Sequence, residues 1–285
     1  MKELVIISGK GGTGKTCLSS SLAVLAGSSV ICDCDVEAPN LHILLQPQPR
    51  ESEAFSASRR AWLDPEKCVK CELCMEICRF GAISDYQVSD LDCEGCGFCS
   101  RICPVEAIRM EDRVSGEWYR SETVYGPMFH ARLRAGQPNS GKLVALLRRK
   151  AKEAAKTNGR RYIITDGPPG TGCPAIAAIT GCSLAAIVTE PTLSAIHDMQ
   201  RVIELCEHFK VRFGVVINKC DLSPIKTQEI KEFCRDKGIA VWGSVPYRED
   251  FLHAIDCCLP PVSYSKDIAE IVKPIWKEME VCLSE

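Results

Sequence analysis

The chain has 285 residues, of which 46% are hydrophobic and 25% are charged, and its formal net charge is −2. Such a composition is typical of a globular protein with one large α/β core, or with a core and a small module. The near-neutral charge disfavours a surface that coats nucleic acid, and no apolar stretch approaches the roughly 20 residues that span a bilayer. The N-terminus leads directly into an apolar segment without a signal peptide. We therefore expect a cytoplasmic protein without a nucleic-acid or membrane partner.

The 19 cysteines are the exception to this ordinary composition. In a chain expected in the cytoplasm, so many cysteines indicate metal or redox chemistry rather than a disulfide scaffold. Eight of them lie between Cys68 and Cys103.

The first motif is a glycine-rich loop between an apolar strand and a helix. Residues 9–16 fit G-x-x-x-x-G-K-[ST] in the strand–loop–helix context that this motif requires. Its glycines would let backbone N–H groups face a phosphate chain at a helix N-terminus. Lys15 would reach the β- and γ-phosphates, and the Thr16 hydroxyl would bind Mg²⁺. The nucleotide-binding residues that we predict here are Gly9, Gly11, Gly12, Thr13, Gly14, Lys15, Thr16 and Cys17.

Acidic residues follow two of the predicted strands. Asp33 and Asp35 come after an apolar segment at 28–32, and Asp166 ends the strand predicted at 162–166. Carboxylates at the C-terminal ends of parallel strands lie beside the phosphate loop, where open α/β sheets bind ligands. An acid in the position of Asp166 can hold Mg²⁺ through water. By residue type alone, Asp33 and Asp35 could equally be ordinary loop acids.

A second lysine, Lys10, precedes Gly11 and gives the sequence Lys-Gly-Gly-Thr-Gly-Lys-Thr. This loop resembles the deviant phosphate loop of the MinD/ParA/Mrp/nitrogenase-iron-protein superfamily. The resemblance implies an ATP-binding dimer in which Lys10 contacts the partner subunit's phosphates, Asp35 orients the attacking water and Asp33 supports the Mg²⁺. From the sequence alone, Lys10 could also be a solvated loop charge. The predicted catalytic residues are Lys10, Lys15, Asp35 and Asp166, and the predicted Mg²⁺ residues are Thr16, Asp33 and Asp166.

A further motif, Asn218-Lys219-Cys220-Asp221, follows an apolar strand predicted at 215–217. It resembles the N-K-x-D base-recognition element of nucleotide-binding relatives. The resemblance implies that Asn218 contacts adenine, whereas Asp221 would favour guanine. We predict that both residues bind the nucleotide, and the identity of the base stays open.

The cysteine-rich segment contains an internal repeat. Each half has the spacing C-x2-C-x2-C-x3-C, and each cysteine of the first half recurs 25 residues later. Triplets with a fourth cysteine are typical of iron–sulfur ligation, whereas zinc sites usually combine two separated C-x2-C pairs. The spacing therefore favours iron–sulfur clusters, with zinc as the alternative. The two halves comprise Cys68, Cys71, Cys74 and Cys78, and then Cys93, Cys96, Cys99 and Cys103.

The two runs resemble bacterial two-cluster ferredoxins, in which the fourth cysteine of each run binds the other cluster. Arg79 stands where such runs usually have proline, whereas Pro104 keeps it, and this departure removes no ligand. The resemblance implies one [4Fe–4S] cluster on Cys68, Cys71, Cys74 and Cys103, and a second on Cys93, Cys96, Cys99 and Cys78.

Strands and helices alternate outside the cysteine-rich segment, which predicts a mainly parallel sheet covered on both faces. The predicted fold class is α/β, a doubly wound P-loop sheet with an inserted α+β bacterial-type ferredoxin domain. We predict that residues 1–58 and 113–285 form the two parts of the ATPase domain, and that residues 59–112 form the ferredoxin domain. Residues 46–58, rich in proline, serine and charge, are predicted to be a linker.

Two predicted helices could be binding surfaces. The helix at 143–155 carries Arg148, Arg149, Lys150 and Lys152, which we interpret as a solvated face, with nucleic-acid binding as the alternative. The helix at 265–283 has one apolar face, and acids counter its lysines. We expect it to pack on the core rather than on a membrane.

Together the motifs predict a Mg²⁺-dependent ATPase that binds ATP and ADP and carries two [4Fe–4S] clusters. By the resemblance, it would form a nucleotide-dependent homodimer, or a heterodimer with a paralogue. Three functions fit: assembly or delivery of metal clusters to an acceptor protein, ATP-gated electron donation to a redox partner, and a MinD/ParA-like positioning ATPase with structural clusters. The complete ferredoxin runs favour the first two.

Overall fold

The structure is a computed structural model that describes residues 1–134 and 140–285. Its strands are β1 (Lys2–Ser8), β2 (Ser29–Asp33), β3 (Gln48–Leu63), β4 (Ile83–Ser84), β5 (Gln87–Val88), β6 (Ile108–Thr123), β7 (Gly126–Leu133), β8 (Tyr162–Pro169), β9 (Leu184–Thr189), β10 (Phe213–Asn218) and β11 (Val241–Val245). Its helices are α1 (Lys15–Ala26), α2 (Leu41–Leu45), α3 (Leu73–Ile77), α4 (Phe98–Ile102), α5 (Ser140–Thr157), α6 (Cys173–Ile179), α7 (Leu193–His208), α8 (Pro224–Asp236), α9 (Asp250–Asp256), α10 (Pro261–Tyr264) and α11 (Lys266–Ser284).

A nine-stranded sheet organises the fold, in the order β11-β10-β9-β1-β8-β2-β7-β6-β3. The pairs β1–β8, β1–β9, β9–β10, β10–β11, β2–β8 and β2–β7 are all parallel. The predicted α/β fold with a mainly parallel sheet is therefore confirmed. Since β8 lies between β1 and β2, the segments at the C-terminal ends of these three strands meet at one edge of the sheet.

The central strands are buried on both faces. In β1, Leu4 and Ile6 pack with Leu18 of α1 in one core cluster. Val5 and Ile7 alternate with them, point to the opposite face, and are also fully buried. Such two-sided burial is what a parallel sheet covered by helices requires.

The C-terminal helix α11 packs against the same core. Its Ile268, Val272 and Met279 are almost completely buried there, as predicted from the apolar face of this helix. None of the described helices is long and apolar enough to cross a membrane.

Residues 46–58 are not the predicted linker, because most of them belong to the long strand β3. β3 is the last strand in the sheet order, and its first seven residues are exposed. An edge strand has one unpaired side and tolerates proline and charge. The composition that indicated a linker is therefore that of an exposed edge strand.

Arg148 does not belong to a solvated face of α5, so this prediction is wrong. It is buried, and its guanidinium group donates to both carboxylate oxygens of Glu3 at 2.7 and 2.6 Å. It also donates to the carbonyl groups of Ala177 and Thr180. The nearby Lys152 ammonium group lies 2.9 Å from Glu3. The buried carboxylate on β1 explains why this arginine turns inward.

The chain divides into two compact units. The first contains Met1–Ser52, Trp118–Arg132 and Ser140–Glu285, and the second contains Glu53–Glu117 with, among the described residues, Leu133 and Arg134. The domain boundaries after residues 58 and 112 stay predictions.

The second unit is small and contains α3, α4 and the antiparallel pair β4–β5. Two of the repeated cysteines, Cys74 and Cys99, are nearly buried in it. In the part of this unit that the structure describes, they pack with four other buried side chains, so the cysteines are a large part of this core. The buried residues of the cluster are Ala61, Leu63, Cys74, Ile83, Cys99 and Ile108.

Candidate functional site

The glycine-rich loop connects β1 to α1 and depends on close approach to other segments. Gly14 precedes α1 with φ = 89°, a left-handed conformation that favours glycine. A Cβ atom at Gly14 would overlap the side-chain amide of Asn218, and one at Gly9 would overlap Asp198. Side chains at either glycine would therefore distort the loop.

The Lys15 side chain is buried and is held beside the loop by hydrogen bonds. Its ammonium group donates to the Ser8 hydroxyl at 2.9 Å, and this hydroxyl donates to the Lys10 carbonyl at 2.6 Å. Burial lowers the pKa of Lys15, although the charges of Asp166 and Asp35 act in the opposite direction. A buried cation at a glycine-rich loop is suited to an anionic ligand such as a phosphate chain.

Asp166 of β8 is the centre of a hydrogen-bond network. Its two carboxylate oxygens accept the Thr16 and Ser19 hydroxyls, each at 2.8 Å. Burial raises the pKa of Asp166 to about 6, while the charge of Lys15 and these two hydroxyls act to lower it. The structure thus brings Thr16 and Asp166, two of the predicted Mg²⁺ residues, into direct contact.

Asp33 lies beside Asp166, because the two residues are in register across the parallel pair β2–β8. Its carboxylate accepts the backbone N–H groups of Asp35 at 3.1 Å and of Leu41 at 3.3 Å. Burial, and then the Asp166 charge, raise the pKa of Asp33 well above its ordinary value. The Asp33 carboxylate therefore fixes the backbone of the segment that leads to α2. Its role at Mg²⁺ stays a prediction.

Asp35 is half-buried at the same edge of the sheet. Its carboxylate accepts the Ala38 N–H at 3.4 Å. Burial raises the pKa of Asp35, and the charge of Lys15 acts in the opposite direction. Asp35 is therefore electrostatically coupled to the lysine of the phosphate loop, and its role in orienting water stays a prediction.

The side chains around the loop fit a nucleoside phosphate with Mg²⁺. The Thr13 hydroxyl is buried without a hydrogen-bond partner in the described part of the chain. A buried hydroxyl without a partner is costly unless a ligand completes it. Thr16 and Asp166 provide the oxygen atoms that Mg²⁺ prefers, and Lys15 provides a cation.

The predicted base-recognition segment has partners within the protein. The Asn218 amide donates to the Thr13 carbonyl at 2.8 Å, and its oxygen accepts the Lys219 N–H at 3.0 Å. The Asp221 carboxylate accepts the Tyr247 N–H at 2.7 Å. Asn218 therefore fixes the phosphate loop, and Asp221 fixes the segment after β11. Contact of either residue with a base stays a prediction.

Lys10 and Cys17 complete the predicted residues of the loop. The Lys10 ammonium group lies 2.8 Å from Glu190 within its own subunit. Cys17 is half-buried, and burial, followed by the Asp166 charge, raises the pKa of its thiol to about 11. Cys17 therefore favours the neutral thiol over the reactive thiolate, and it lies beside the residues that are predicted to bind Mg²⁺.

Four repeated cysteines line one cavity in the second unit. Cys68, Cys71 and Cys74 of the first run and Cys103 of the second run line the same pocket. Most of the other lining residues are apolar. The same four cysteines are the complete set predicted to bind the first cluster.

The cysteines of the other predicted set interact electrostatically with one another. Burial raises the pKa of the Cys99 thiol, and the charges of Cys93, Cys96 and Cys78 contribute to this rise. Backbone N–H groups approach the sulfur atoms of Cys78 at 3.4 Å and of Cys93 at 3.5 Å. The cysteine at the end of the first run is thus near the triplet of the second run.

Among residues 1–134 and 140–285, no three Cys, His, Asp or Glu side chains are arranged to hold a single metal ion.

Residues 4–257 match the profile of the CobQ/CobB/MinD/ParA nucleotide binding domain. The chain belongs to this family. The match extends over the glycine-rich loop and the strands that carry Asp33, Asp166 and Asn218. The chain is accordingly a MinD/ParA-like ATPase.

Three relatives differ in how much of the chain they match. Uncharacterized protein MJ0578 of Methanocaldococcus jannaschii is 31% identical over 281 residues, which cover 98% of this chain and 96% of that protein. Uncharacterized protein MJ0579 of the same organism is 26% identical over 79% of this chain and 84% of its own length. Pyruvate synthase subunit PorD of Methanothermobacter marburgensis is 43% identical over 53 residues, or 18% of this chain and 65% of that subunit.

Solved structures of MinD proteins share the MinD/ParA-type fold. The septum site-determining protein MinD complexed with Mg-ADP, from Pyrococcus horikoshii OT3, has a TM-score of 0.60 at 16% identity and covers 98% of this chain and 95% of its own. The cell division ATPase MinD of Pyrococcus furiosus has a TM-score of 0.59 at 18% identity, with 98% of each chain covered.

Three residues of the MinD/ParA-type site belong to no motif that the sequence reveals: Ser8, Ser19 and Glu190. Ser19 lies one helical turn after Thr16, so helical spacing could have indicated it. Ser8 ends β1 directly before the loop. Glu190 is remote from the loop in sequence, and no local pattern marks it.

Proposed function

We propose that this MinD/ParA-like ATPase carries two [4Fe–4S] clusters and donates electrons to a partner protein under the control of its nucleotide state. The observation that carries this proposal is the cavity of the second unit, where Cys103 joins Cys68, Cys71 and Cys74. A cysteine from the other run completes this set, as in bacterial two-cluster ferredoxins.

ATP hydrolysis in the proposal depends on positioning and charge. Lys15 would bind the phosphates, and Thr16 and Asp166 would hold Mg²⁺, which would supply positive charge for phosphoryl transfer. Asp35 orients the attacking water, and Lys10 contacts the partner subunit's phosphates. The contacts of Thr16 with Asp166 and of Lys15 with Ser8 support these roles, since they fix the side chains before a ligand binds.

The subunits of the proposed dimer are identical or are paralogues. MJ0578 and MJ0579 both match this chain and occur in one organism, which supports the paralogue alternative.

The donor set favours iron–sulfur clusters over zinc. Zinc needs its four cysteines in one coordination sphere, whereas each thiolate of a [4Fe–4S] cluster binds a different iron atom. Each run has three closely spaced cysteines and a fourth one, which is the pattern typical of the cluster. The match to a pyruvate synthase subunit also supports it, because its 53 residues have about the length of the predicted ferredoxin domain.

Burial favours electron donation over delivery of these clusters. Cys74 and Cys99 are 8% and 9% exposed and belong to the core of the second unit. Removing either cluster would open that core, so the clusters are suited to stay bound. Chain order supports the nucleotide control, since the segment with Asp33 and Asp35 leads through α2 into β3, which enters the second unit.

The test is electron transfer from the reduced, anaerobic protein to a candidate redox acceptor, with Mg-ATP, with Mg-ADP and without nucleotide. Acceleration by ATP in the parent protein, and its loss in Lys15→Ala, is the expected result. Transfer of iron to an apo-acceptor would instead support cluster delivery. ATP-dependent filament or surface binding without either transfer would support the positioning alternative. A zinc content of about two atoms per chain, without iron, would overturn the cluster assignment.

A further inference from the structure

Glu190 lies between two lysines at the edge of the phosphate loop. It follows β9 and precedes α7. Its Oε1 atom is 2.8 Å from Lys10 Nζ, and its Oε2 atom is 3.0 Å from Lys219 Nζ. The Lys219 ammonium group also donates to the Gly12 carbonyl at 3.1 Å. One carboxylate thus holds two cations beside the loop that is predicted to bind phosphate.

The ion pair with Lys10 is stronger than a surface contact. Glu190 is only 8% exposed. Burial by itself raises the pKa of Glu190, but the hydrogen bonds and charges of Lys10 and Lys219 outweigh this effect and lower it. The carboxylate is therefore ionised and well paired, which screening by water weakens less than at an exposed site.

The Lys10 side chain, in contrast, is partly exposed and can move away from Glu190. About 30% of the Lys10 side chain is exposed. Its other contacts are long hydrogen bonds to the hydroxyls of Thr192 at 3.4 Å and Ser194 at 3.3 Å. Glu190 is therefore the main restraint on the Lys10 ammonium group within its own subunit.

We propose that Glu190 is a positioning residue that holds Lys10 in its own subunit and so opposes self-association until nucleoside triphosphate is bound. This inference rests on the proposed function, in which Lys10 crosses to the partner subunit's phosphates. Lys10 cannot pair with Glu190 and with those phosphates at once. Self-association must therefore break the ion pair of Glu190 with Lys10, and the free energy of this pair opposes association. Only a ligand that attracts Lys10 more strongly offsets this cost.

The experiment measures self-association of the full, cluster-loaded chain by sedimentation velocity. The nucleotide is a non-hydrolysable ATP analogue with Mg²⁺ at saturating concentration, so that changes in nucleotide affinity do not affect the result. We expect Glu190→Gln to lower the protein concentration at half-association about fivefold to tenfold. Ser194→Ala should lower it less. Glu229→Gln is the matched control, because Glu229 pairs with Lys226 on α8 and should leave it unchanged.

Two further variants separate this inference from the proposed function. If the parent protein binds the analogue but does not associate, or if Lys10→Ala associates equally well, the dimer of the proposed function is wrong. If association is normal and depends on Lys10, but Glu190→Gln associates no better than the parent protein, the role of Glu190 is overturned. Should Glu190→Gln not fold, as judged by thermal unfolding, Glu190→Asp is measured by the same criterion, since its shorter side chain also loosens Lys10.

Discussion

The candidate sites of the two units are organised in different ways. In the first unit, the side chains of the nucleotide site already contact one another, as Thr16 and Ser19 contact Asp166. In the second unit, Cys68, Cys71, Cys74 and Cys103 come from two sequence runs and line one mostly apolar pocket. The first site is therefore fixed by hydrogen bonds between its own side chains, whereas the second brings cysteines of both runs together in an apolar lining.

This difference follows from core size. The nucleotide site lies at the edge of a large sheet whose strands are buried on both faces, so protein contacts alone can fix it. The small core of the second unit includes the cysteines themselves. A bound metal group contributes directly to the folding of such a module. We expect the second unit, and not the first, to depend on its ligands for stability.

The largest expected effect is therefore loss of order in the second unit when a core cysteine is removed. Cys74→Ala should reduce iron from about eight to about four atoms per chain, and proteolysis within residues 53–117 should become much faster. Nucleotide-dependent stabilisation of the first unit should remain. The matched control is Cys206→Ala, a fully buried cysteine of α7, which should leave the iron content unchanged. Unchanged proteolysis in Cys74→Ala would show that the two units do not differ in this way.

The second prediction concerns the organised site. Mg-ADP at about 100 times its Kd should stabilise the first unit by about 2.7 kcal/mol. Lys15→Ala should remove most of this gain, because the cation that faces the phosphates is lost, and it should not change the iron content. Thermal unfolding with and without Mg-ADP measures both variants. Lys226→Ala is the control, since this lysine pairs with Glu229 on α8. An equal nucleotide effect in Lys15→Ala would contradict the site.

The third prediction tests the stability of the first unit without either ligand. Burial, with the His42 charge as a second cause, lowers the pKa of His130 from 6.5 to about 4. Since the unfolded chain binds this proton more readily, the contribution of His130 to the free energy of unfolding should become less favourable as the pH falls from 6.5 towards 4. The His130 contribution is at most about 3 kcal/mol. In denaturant unfolding, His130→Gln should gain free energy of unfolding relative to the parent protein as the pH falls through this range, whereas His253→Gln, at an exposed position, should match the parent protein.

The smallest effect is expected at Asp221. Asp221→Ala removes the acceptor of the Tyr247 N–H, a partly exposed bond worth about 0.5–1 kcal/mol. The ratio of the ATP and GTP affinities should stay the same, because the carboxylate serves the segment after β11. Competition binding measures this ratio. A tenfold change would instead assign Asp221 to base recognition.

Local patterns predict the parts of this molecule that depend on local geometry. The phosphate loop and the acids at the strand ends are set by short spacings and by the run of buried strands, and the structure brings Thr16 and Asp166 together as expected. The exposed strand β3 has the composition of a linker, because its outer edge faces solvent. Its place in the sheet depends on its neighbour β6, which is distant in sequence.

The pairs of opposite charges could not be predicted from the sequence either, because their partners are also distant in sequence. Glu190 meets Lys10, and Glu3 meets Arg148, only when remote segments are folded against each other. Glu190, Glu3 and Arg148 have the residue types of ordinary surface charges. Only burial in the folded chain distinguishes these three residues.

The buried pair of Glu3 and Arg148 constrains how this sequence can diverge. Loss of Glu3 leaves the buried Arg148 charge without its carboxylate, which costs about 3–5 kcal/mol. Loss of Arg148 leaves the buried Glu3 with Lys152 as its remaining charged partner. Simultaneous replacement of both by apolar side chains of similar volume removes this penalty. Homologues should therefore keep both residues or change both together, and positions 3 and 148 should covary across the family although they are far apart in the chain.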